Sequence, residues 1–401
     1  MSEVYVFLGF IGLGGIETMY VKVINELLER KRVVLVERIE GPLAHLLDSR
    51  ADVIGECSVS RSAKATQSLI RRVEGRPDVV IVSMHPWELV RAALLNREIS
   101  SAGYRIRGFH LVTHSRAFFF DSRMPLLRHL LRKAFFRAPT ASTYFMNLAA
   151  RDAHRAFWKA DLSAYPILTL PLAPSDVKWT PSVSGGLRIV SVGRLVAFKG
   201  YNHVASDIVR AFRDSGAEVS WDIWGDGPDR ELLEDAIQRA GVEDWVQLRG
   251  VLPYEDFDTV VAGYDLFIGM GTALLEAAYL QMPAITAVEG TSDQTYGFLY
   301  ETPLDSVGDK VAGAPTHRLK DAIASCLSLS ETDARAIGQA CRKSAIKRSS
   351  SVRNVADAIE VSQEWRLDAS DERWLNLAKA IVALQKLRRS FAGLRRDGGQ
   401  A

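Results

Sequence analysis

Cysteine is scarce in this chain of 401 residues, which has only three, at positions 57, 326 and 341. So few and so widely spaced thiols argue against a disulfide framework or a zinc cluster and are typical of a reducing compartment. Charge of one sign is also missing: the formal net charge is +2, which gives no global case for nucleic-acid binding. No apolar run approaches the length of a membrane span, and the start of the chain lacks a signal-peptide pattern. We therefore expect a cytoplasmic protein.

Strand-like and helix-like segments alternate along the chain, which predicts βα units and parallel sheets. Apolar runs predict strands at residues 4–9, 33–37, 78–83, 109–113, 142–145 and 167–170, and again at 187–192, 219–224, 246–249, 266–268 and 284–286. Helical patterns lie between them, for example at 16–30, 148–159, 203–215, 229–240, 254–262 and 272–280. We expect an α/β protein of two Rossmann-like, doubly wound domains that face each other across a cleft.

Composition sets the expected domain boundaries. Residues 173–186 are rich in Pro, Ser and Gly with little periodicity and are the expected linker. The first domain then covers residues 1–172 and the second covers residues 187–350. Residues 351–401 are expected to form a helical tail that can cross back to the first domain.

Two cations follow the first strand of the second domain. Gly193 and Arg194 end the apolar run, and Lys199 comes five residues after Arg194. Open α/β sheets bind ligands at the carboxyl ends of their strands, and a guanidinium with an ammonium group suits a diphosphate. The plainer alternative is an ordinary surface loop.

Glu276 lies in the most informative later segment, residues 265–283. A short strand leads into the glycines of Gly269-Met-Gly271, Thr272 is expected to cap a helix, and Glu276 falls about one turn into that helix. Helix N–H groups suit phosphate, and a carboxylate can accept hydrogen bonds from ribose hydroxyls. A solvated helix glutamate is the alternative.

Two weaker motifs belong to the same domain. Gly225-Asp-Gly-Pro predicts a sharp turn into a helix. The turn at Val251–Leu252 can offer backbone groups to a base or simply connect two elements. An Asp256-Phe-Asp258 sequence matches a metal-binding pattern, but its place at a predicted helix start favours a solvated first turn.

A glycine-rich turn opens the first domain, where Gly12, Gly14 and Gly15 precede a helix whose N-terminus favours an anion. A dinucleotide fingerprint starting at Gly12 would need glycine at position 17, where the chain has Glu17. Glu37 ends the second strand where a ribose-binding acid would lie, so an NAD(P)-dependent oxidoreductase stays an alternative.

Three further residues are candidates on the cleft side of the first domain. His85 and His114 each end a strand, and each can instead be a hydrogen-bonded strand-end residue. Glu17 can either contact an acceptor or cap its own helix.

Taken in order, V-G-R-L…K-G, G-D-G-P, V-x-L-x-G and Y-D-L-F…L-L-E-A-A-Y-L-Q-M-P resemble the group 1 family of retaining glycosyltransferases, which has the GT-B fold. The resemblance covers residues 187–300 in the family's order and fits the first domain more loosely. It implies a nucleoside-diphosphate-sugar donor, with Arg194 and Lys199 neutralising the diphosphate and His114 near the sugar. No metal and no other cofactor is required in this family, which agrees with the cations present.

The resemblance also implies the remaining donor-binding residues. Glu276 would hold the ribose. Glu17 and His85 are acceptor-side candidates from their positions in the first domain, independently of the resemblance. The other donor-binding residues would be Gly14, Gly15, Gly193, Gly225, Val251, Leu252, Gly271, Thr272, Ala273 and Leu274. One departure concerns Ile268, which stands where the family usually carries a first glutamate that contacts the donor sugar. A catalytically degenerate sugar-nucleotide-binding protein therefore stays a second alternative.

The segment Met124–Arg137 predicts a basic amphipathic helix that can lie on an anionic membrane surface or pack on its own domain. We expect a glycosyltransferase that uses a glycan or lipid-linked acceptor in the assembly of capsular or envelope polysaccharide or lipopolysaccharide.

Overall fold

The computed structural model describes residues 3–11, 15–39, 43–54, 69–76, 78–119, 124–172, 175–181, 185–304 and 306–382. The chain divides into two compact units. Unit 1 contains residues 1–146, 150–168 and 352–401, and unit 2 contains residues 147–149 and 169–351. The division at 168 falls before residue 172, where the first domain was expected to end.

Unit 1 is built on a six-stranded parallel sheet with the strand order β3-β2-β1-β4-β5-β6. Its strands are β1 (Val4–Ile11), β2 (Val33–Ile39), β3 (Asp52–Val53), β4 (Asp78–Ser83), β5 (Arg105–Val112) and β6 (Thr143–Phe145). The apolar runs of β1 and β4 are buried on both faces, as parallel strands covered by helices require. The strand order reverses between β1 and β4, so their carboxyl ends are where a ligand is expected.

Among the described residues of unit 1, positions 69–73 are helical, and four longer helices also precede the second sheet. They are α1 (Gly15–Glu29), α2 (Pro86–Ser101), α3 (Pro125–Arg137) and α4 (Leu148–Trp158), the last of which begins within residues 147–149. The buried side chains of α1 recur at helical spacing, including Tyr20, Ile24 and Leu27. That stripe places the hydrophobic face of α1 against the sheet.

Unit 2 contains a seven-stranded sheet with the order β10-β9-β8-β11-β12-β13-β14. Its strands are β8 (Leu187–Val192), β9 (Val219–Trp224), β10 (Val246–Gly250), β11 (Leu266–Gly269), β12 (Ala284–Ala287), β13 (Gln294–Phe298) and β14 (His317–Arg318). Strands β8 to β12 are parallel, while β13 and β14 add an antiparallel edge that was not predicted, since both are short and polar. The order reverses between β8 and β11. The two Rossmann-like domains expected from the sequence are confirmed.

The helices of unit 2 are α5 (Ala205–Asp214), α6 (Arg230–Ala240), α7 (Phe257–Val261), α8 (Thr272–Tyr279), α9 (Leu319–Ala324) and α10 (Glu331–Arg348). Two helices are shorter than predicted because each begins with a separate 3₁₀ turn, Gly200–Val204 before α5 and Tyr254–Asp256 before α7.

The strand predicted at residues 167–170 does not form. Strand β6 has only three residues, so Ile167 makes a single bridge to Phe145 before the chain departs. The chain then forms β7 (Pro171–Leu172), which pairs with β15 (Ser350–Ser351) in unit 2.

The described part of the predicted linker is packed against unit 2. Trp179 is buried, its backbone N–H donates to the Leu280 carbonyl at 3.0 Å, and its indole N–H donates to the Tyr264 carbonyl at 2.6 Å. One aromatic side chain thus anchors a segment whose composition indicated a loop.

The tail packs on unit 1 through α11 (Val352–Glu360) and a further helix, α12, at residues 372–382. Arg30 of α1 pairs with Asp357 at 2.6 Å and with Glu360 at 2.9 Å. The ring of Trp365 lies so close to Gly108 of β5 that a side chain there would clash with it. Positions 384, 387 and 391, predicted to continue the tail helix, lie outside the described residues.

Candidate active site

The loop after β8 brings two cations together. Gly193 has a φ of +150°, and a Cβ at this position would collide with Nζ of Lys199. Burial, followed by the charge of neighbouring Arg194, lowers the pKa of Lys199 to about 8. Within the described residues, neither cation forms an ion pair with a carboxylate. This corner of unit 2 is therefore electrostatically complementary to an anion.

The Gly225-Asp-Gly-Pro turn locks that loop in place. Gly193 donates its N–H to the Trp224 carbonyl at 2.9 Å, and Leu195 donates to the Asp226 carbonyl at 3.0 Å. A Cβ at Gly225 would overlap the Gly193 carbonyl, and one at Gly227 would overlap the Leu195 carbonyl. Both glycines thus permit close approach of two backbone segments. Gly225 packs against the loop after β8, which carries Arg194 and Lys199.

Helix α8 follows strand β11, which pairs in parallel with β8. The start of α8 therefore lies at the same edge of the sheet as the loop after β8. Gly271, with φ of +71°, is the N-cap residue, and Thr272 is the first helical residue without a capping hydrogen bond from its side chain. The prediction that Thr272 caps the helix was wrong, since the cap position has a positive φ that favours glycine. The first backbone N–H groups of α8, at Thr272, Ala273 and Leu274, have no partners within the helix.

Glu276 follows in the second turn of α8 and is half-buried. Its Oε1 accepts a hydrogen bond of 2.9 Å from the hydroxyl of Tyr254. Tyr254 follows the β10 turn, in which Val251 is exposed and Leu252 is buried. Sequence analysis missed Tyr254, because nothing in a 22-residue separation indicates that its hydroxyl reaches α8.

Ile268 is fully buried in the apolar core of unit 2, together with Ile189, Leu266 and Ile285. Its side chain therefore points into the core from strand β11. The residue at the family's usual glutamate position thus contributes packing here.

The candidate residues of unit 1 have local roles. Gly14 lies outside the described residues, Gly15 is the first residue of α1, and Glu17 is in its first turn. His85 is the N-cap residue of α2, where its Nδ1 accepts from the Trp87 N–H at 3.4 Å. His114 is half-buried, and its Nδ1 accepts from the Arg116 N–H at 3.0 Å.

Two carboxylates, Glu37 and Glu88, lie near Gly9 at the carboxyl ends of β1, β2 and β4, and sequence analysis named only Glu37. Glu88 accepts through Oε2 from the Tyr20 hydroxyl at 3.1 Å and from the N–H groups of Met84 and His85. Burial raises the pKa of Glu88 to about 7 despite these donors. Glu88 is half-buried, whereas Glu37 is buried and pairs with Arg91. The spacing of His85 and Glu88 is that of a capping box, a signal obscured because histidine is an unusual N-cap residue.

The exposed face of α3 combines apolar and basic side chains. Leu130, Leu131 and Phe135 are buried on the inner face of the helix. Outward-facing residues are Met124, Leu126, Arg128, Arg132, Lys133 and Phe136. The Arg128 guanidinium also lies 4.4 Å from the ring centre of Phe157 on α4.

The described residues contain neither a cluster of potential metal ligands nor a helix suited to span a membrane. No group of three or more His, Cys, Asp or Glu side chains there is arranged to hold a metal ion. None of the helices in those ranges is both long and apolar enough to cross a membrane.

The chain is similar to known glycosyltransferases. Residues 178–341 match the family described as glycosyl transferases group 1. The 2-deoxystreptamine N-acetyl-D-glucosaminyltransferase of Streptomyces fradiae is 26% identical over 331 residues, which cover 74% of this chain and 76% of the relative. A protein of Escherichia coli named for colanic acid biosynthesis, glycosyltransferase WcaL, is 25% identical over 53% of this chain and 54% of its own.

Among the solved structures with a similar fold are two glycosyltransferase-related examples. Anabaena HepE, crystallised with UDP and glucose, has a TM-score of 0.66 at 15% identity and covers 90% of this chain and 98% of its own. WaaG, a glycosyltransferase involved in lipopolysaccharide biosynthesis, has a TM-score of 0.59 at 16% identity and covers 90% and 100%.

Proposed function

Because this chain is a group 1 glycosyltransferase with the GT-B fold, we propose that it transfers a sugar from a nucleoside diphosphate to a glycan or lipid-linked acceptor. The observation that carries the donor assignment is the pair Arg194 and Lys199, two neighbouring cations without a carboxylate partner among the described residues. A diphosphate supplies the counter-charge that this corner of the sheet needs.

The proposed chemistry follows from where charge develops. When the bond between the sugar and the diphosphate breaks, negative charge grows on the leaving oxygens, and fixed cations stabilise it. Arg194 and Lys199 would supply that charge, and the first N–H groups of α8 would add hydrogen bonds, so we assign no metal or other cofactor to this step. Glu276 would bind the ribose, and the backbone at Val251–Leu252 would face the base.

The donor assignment can be tested by thermal shift with UDP, GDP, ADP and NAD(H). We expect stabilisation by at least one nucleoside diphosphate and its loss in the double variant Arg194→Ala, Lys199→Ala. Arg210→Ala is the matched control, since Arg210 lies on α5 and pairs with Asp214. Stabilisation by NAD(H) alone would favour the oxidoreductase alternative, and unchanged affinity in the double variant would remove these cations from the site.

Retention and acceptor class are part of the same proposal. Retention is supported by the resemblance of residues 187–300 to a retaining family, and envelope polysaccharide or lipopolysaccharide assembly by the names of WcaL and WaaG. The name of the Streptomyces relative adds an aminocyclitol as a soluble acceptor to test. Product anomer, read by NMR with UDP-glucose and UDP-N-acetylglucosamine as donors, tests retention. Donor binding without hydrolysis or transfer to either acceptor class would favour the degenerate alternative.

We further propose that unit 1 contacts anionic membrane through α3, which presents the exposed side chains of Met124, Leu126 and Phe136 beside three cations. Apolar insertion combined with attraction to anionic headgroups is how amphipathic helices bind a surface. Sedimentation with phosphatidylglycerol vesicles should show binding that falls with salt and is lost in Arg128→Glu, Arg132→Glu. The control is Arg210→Glu with Arg239→Glu on unit 2. Absence of wild-type binding at low salt would refute this contact.

A further inference from the structure

Tyr254 and Glu276 come from different elements and are joined by a hydrogen bond. Tyr254 begins the 3₁₀ turn after β10, and Glu276 lies on α8. The phenol donates to Oε1 of the carboxylate at 2.9 Å. Because Leu252 before it and Phe257 after it are both buried, the chain that carries Tyr254 is anchored on either side.

The chemistry of the pair fixes which partner donates. Burial and the adjacent Glu276 carboxylate both raise the pKa of the Tyr254 phenol well above its ordinary value, so the hydroxyl keeps its proton throughout the neutral range. A charged acceptor makes such a bond stronger than one between neutral groups. The carboxylate is thereby held in one orientation before any ligand arrives.

We propose that Tyr254 is a positioning residue that orients Glu276 toward the ribose and ties ribose recognition to the base-side turn. This inference rests on the proposed function, in which Glu276 accepts from ribose hydroxyls. The hydrogen bond restricts the Glu276 side chain to few rotamers before the donor arrives. Less conformational entropy is then lost on binding, so the donor binds more tightly. Tyr254 also follows the Val251–Leu252 turn after one intervening residue, Pro253, so one side chain connects the proposed base and ribose contacts.

The test is Tyr254→Phe, which keeps the ring and removes only the hydroxyl. With the nucleoside diphosphate that binds the wild type, we expect affinity to fall about tenfold. One of its 2′-deoxy and 3′-deoxy analogues lacks the hydroxyl that Glu276 binds, and the affinity for that analogue should fall less than the affinity for the ribose form. The variant should therefore discriminate less between ribose and that analogue. In a Glu276→Ala background, Tyr254→Phe should add nothing.

Tyr264→Phe is the matched control. Tyr264 in the same unit donates to the Asp222 carboxylate at 2.6 Å, outside the proposed donor site. Loss of the Tyr264 hydroxyl removes a hydrogen bond of the same kind, between a phenol and a carboxylate, and should leave nucleotide affinity unchanged.

The outcomes separate the two proposals. If Glu276→Ala weakens binding but Tyr254→Phe does not, or if Tyr254→Phe weakens ribose and both deoxy forms equally, the positioning role is wrong and the donor assignment stands. If no nucleoside diphosphate binds the wild type, both are overturned. Thermal unfolding of each variant identifies any that fail to fold, and Tyr254→Gln then supplies a second removal of the phenol.

Discussion

The ammonium group of Lys199 fills the space that a side chain at residue 193 would need. The glycine is thus required twice, by its φ of +150° and by the contact with Nζ. The backbone of Gly225 also packs closely against the carbonyl group of Gly193. Gly193 therefore leaves room for the cation, and Gly225, through its own missing side chain, leaves room for the Gly193 carbonyl.

Gly193→Ala should weaken diphosphate binding by about tenfold or more, because the new methyl group displaces the ammonium. The backbone strain should also cost about 1–3 kcal/mol of unfolding free energy. Gly216→Ala is the matched control, since Gly216 has φ of +83° with no atom within 4 Å of the added Cβ. That variant should lose stability but keep its nucleotide affinity. Equal nucleotide affinities for Gly193→Ala and the wild type would contradict the argument.

Binding of the nucleoside diphosphate should weaken as pH rises above about 8. In the free protein the pKa of Lys199 is lowered to about 8, so the ammonium loses its proton there, and a bound diphosphate would raise that pKa again. Binding at pH 9 must then take up a proton. Calorimetry in two buffers of different ionisation enthalpy measures this uptake directly. Lys199→Arg keeps its charge and should remove the dependence, whereas a flat wild-type profile would show that Lys199 is not at the diphosphate.

The Lys199 loop and α8 could be predicted from the sequence because each follows an apolar run, and parallel strands place their carboxyl ends at one edge. The contact between Tyr254 and Glu276 could not, since it depends on the tertiary approach of a turn to a helix 22 residues away. The cap of α8 was assigned to Thr272 because threonine is a preferred N-cap residue. The backbone selected Gly271 instead, through a positive φ that the sequence does not reveal.

In unit 1, the sequence suggested a ligand-side role for a residue that instead makes a local structural contact. His85 ends a strand and was expected on the ligand side, yet its ring nitrogen accepts a backbone N–H and caps α2. A histidine is easily taken from the sequence for a catalytic residue, but the local hydrogen bond explains the position of His85 without a catalytic role. Glu88, three residues on, was overlooked although it lies at the point where the strand order reverses.

Ile268→Glu should destabilise the protein by more than about 3 kcal/mol and should not restore a sugar contact. The side chain is fully buried in the core of unit 2, so an ionised carboxylate there would lose its hydration without gaining a partner. Chemical denaturation measures the loss. Ile268→Val keeps the apolar core and should cost about 1 kcal/mol. A stable Ile268→Glu variant with higher transfer activity would mean that β11 can turn this position toward the donor.

Glu88→Gln should remove a pH dependence of stability that lies below neutrality. Burial, the leading cause, raises the pKa of Glu88 from its ordinary 4.5 to about 7, so the folded protein holds this proton more tightly than the unfolded chain. The unfolding free energy of the wild type should therefore decline through this group as pH rises from about 4.5 to 7 and change no further above that. Glutamine is neutral throughout, so the unfolding free energy of the variant relative to the wild type should increase across the same window. The increase should be at most about 3 kcal/mol, and less to the extent that water reaches the half-buried carboxyl group. Urea unfolding at pH 5, 6, 7 and 8 measures the difference, and parallel profiles for the two proteins would show that Glu88 ionises equally in the folded and unfolded states.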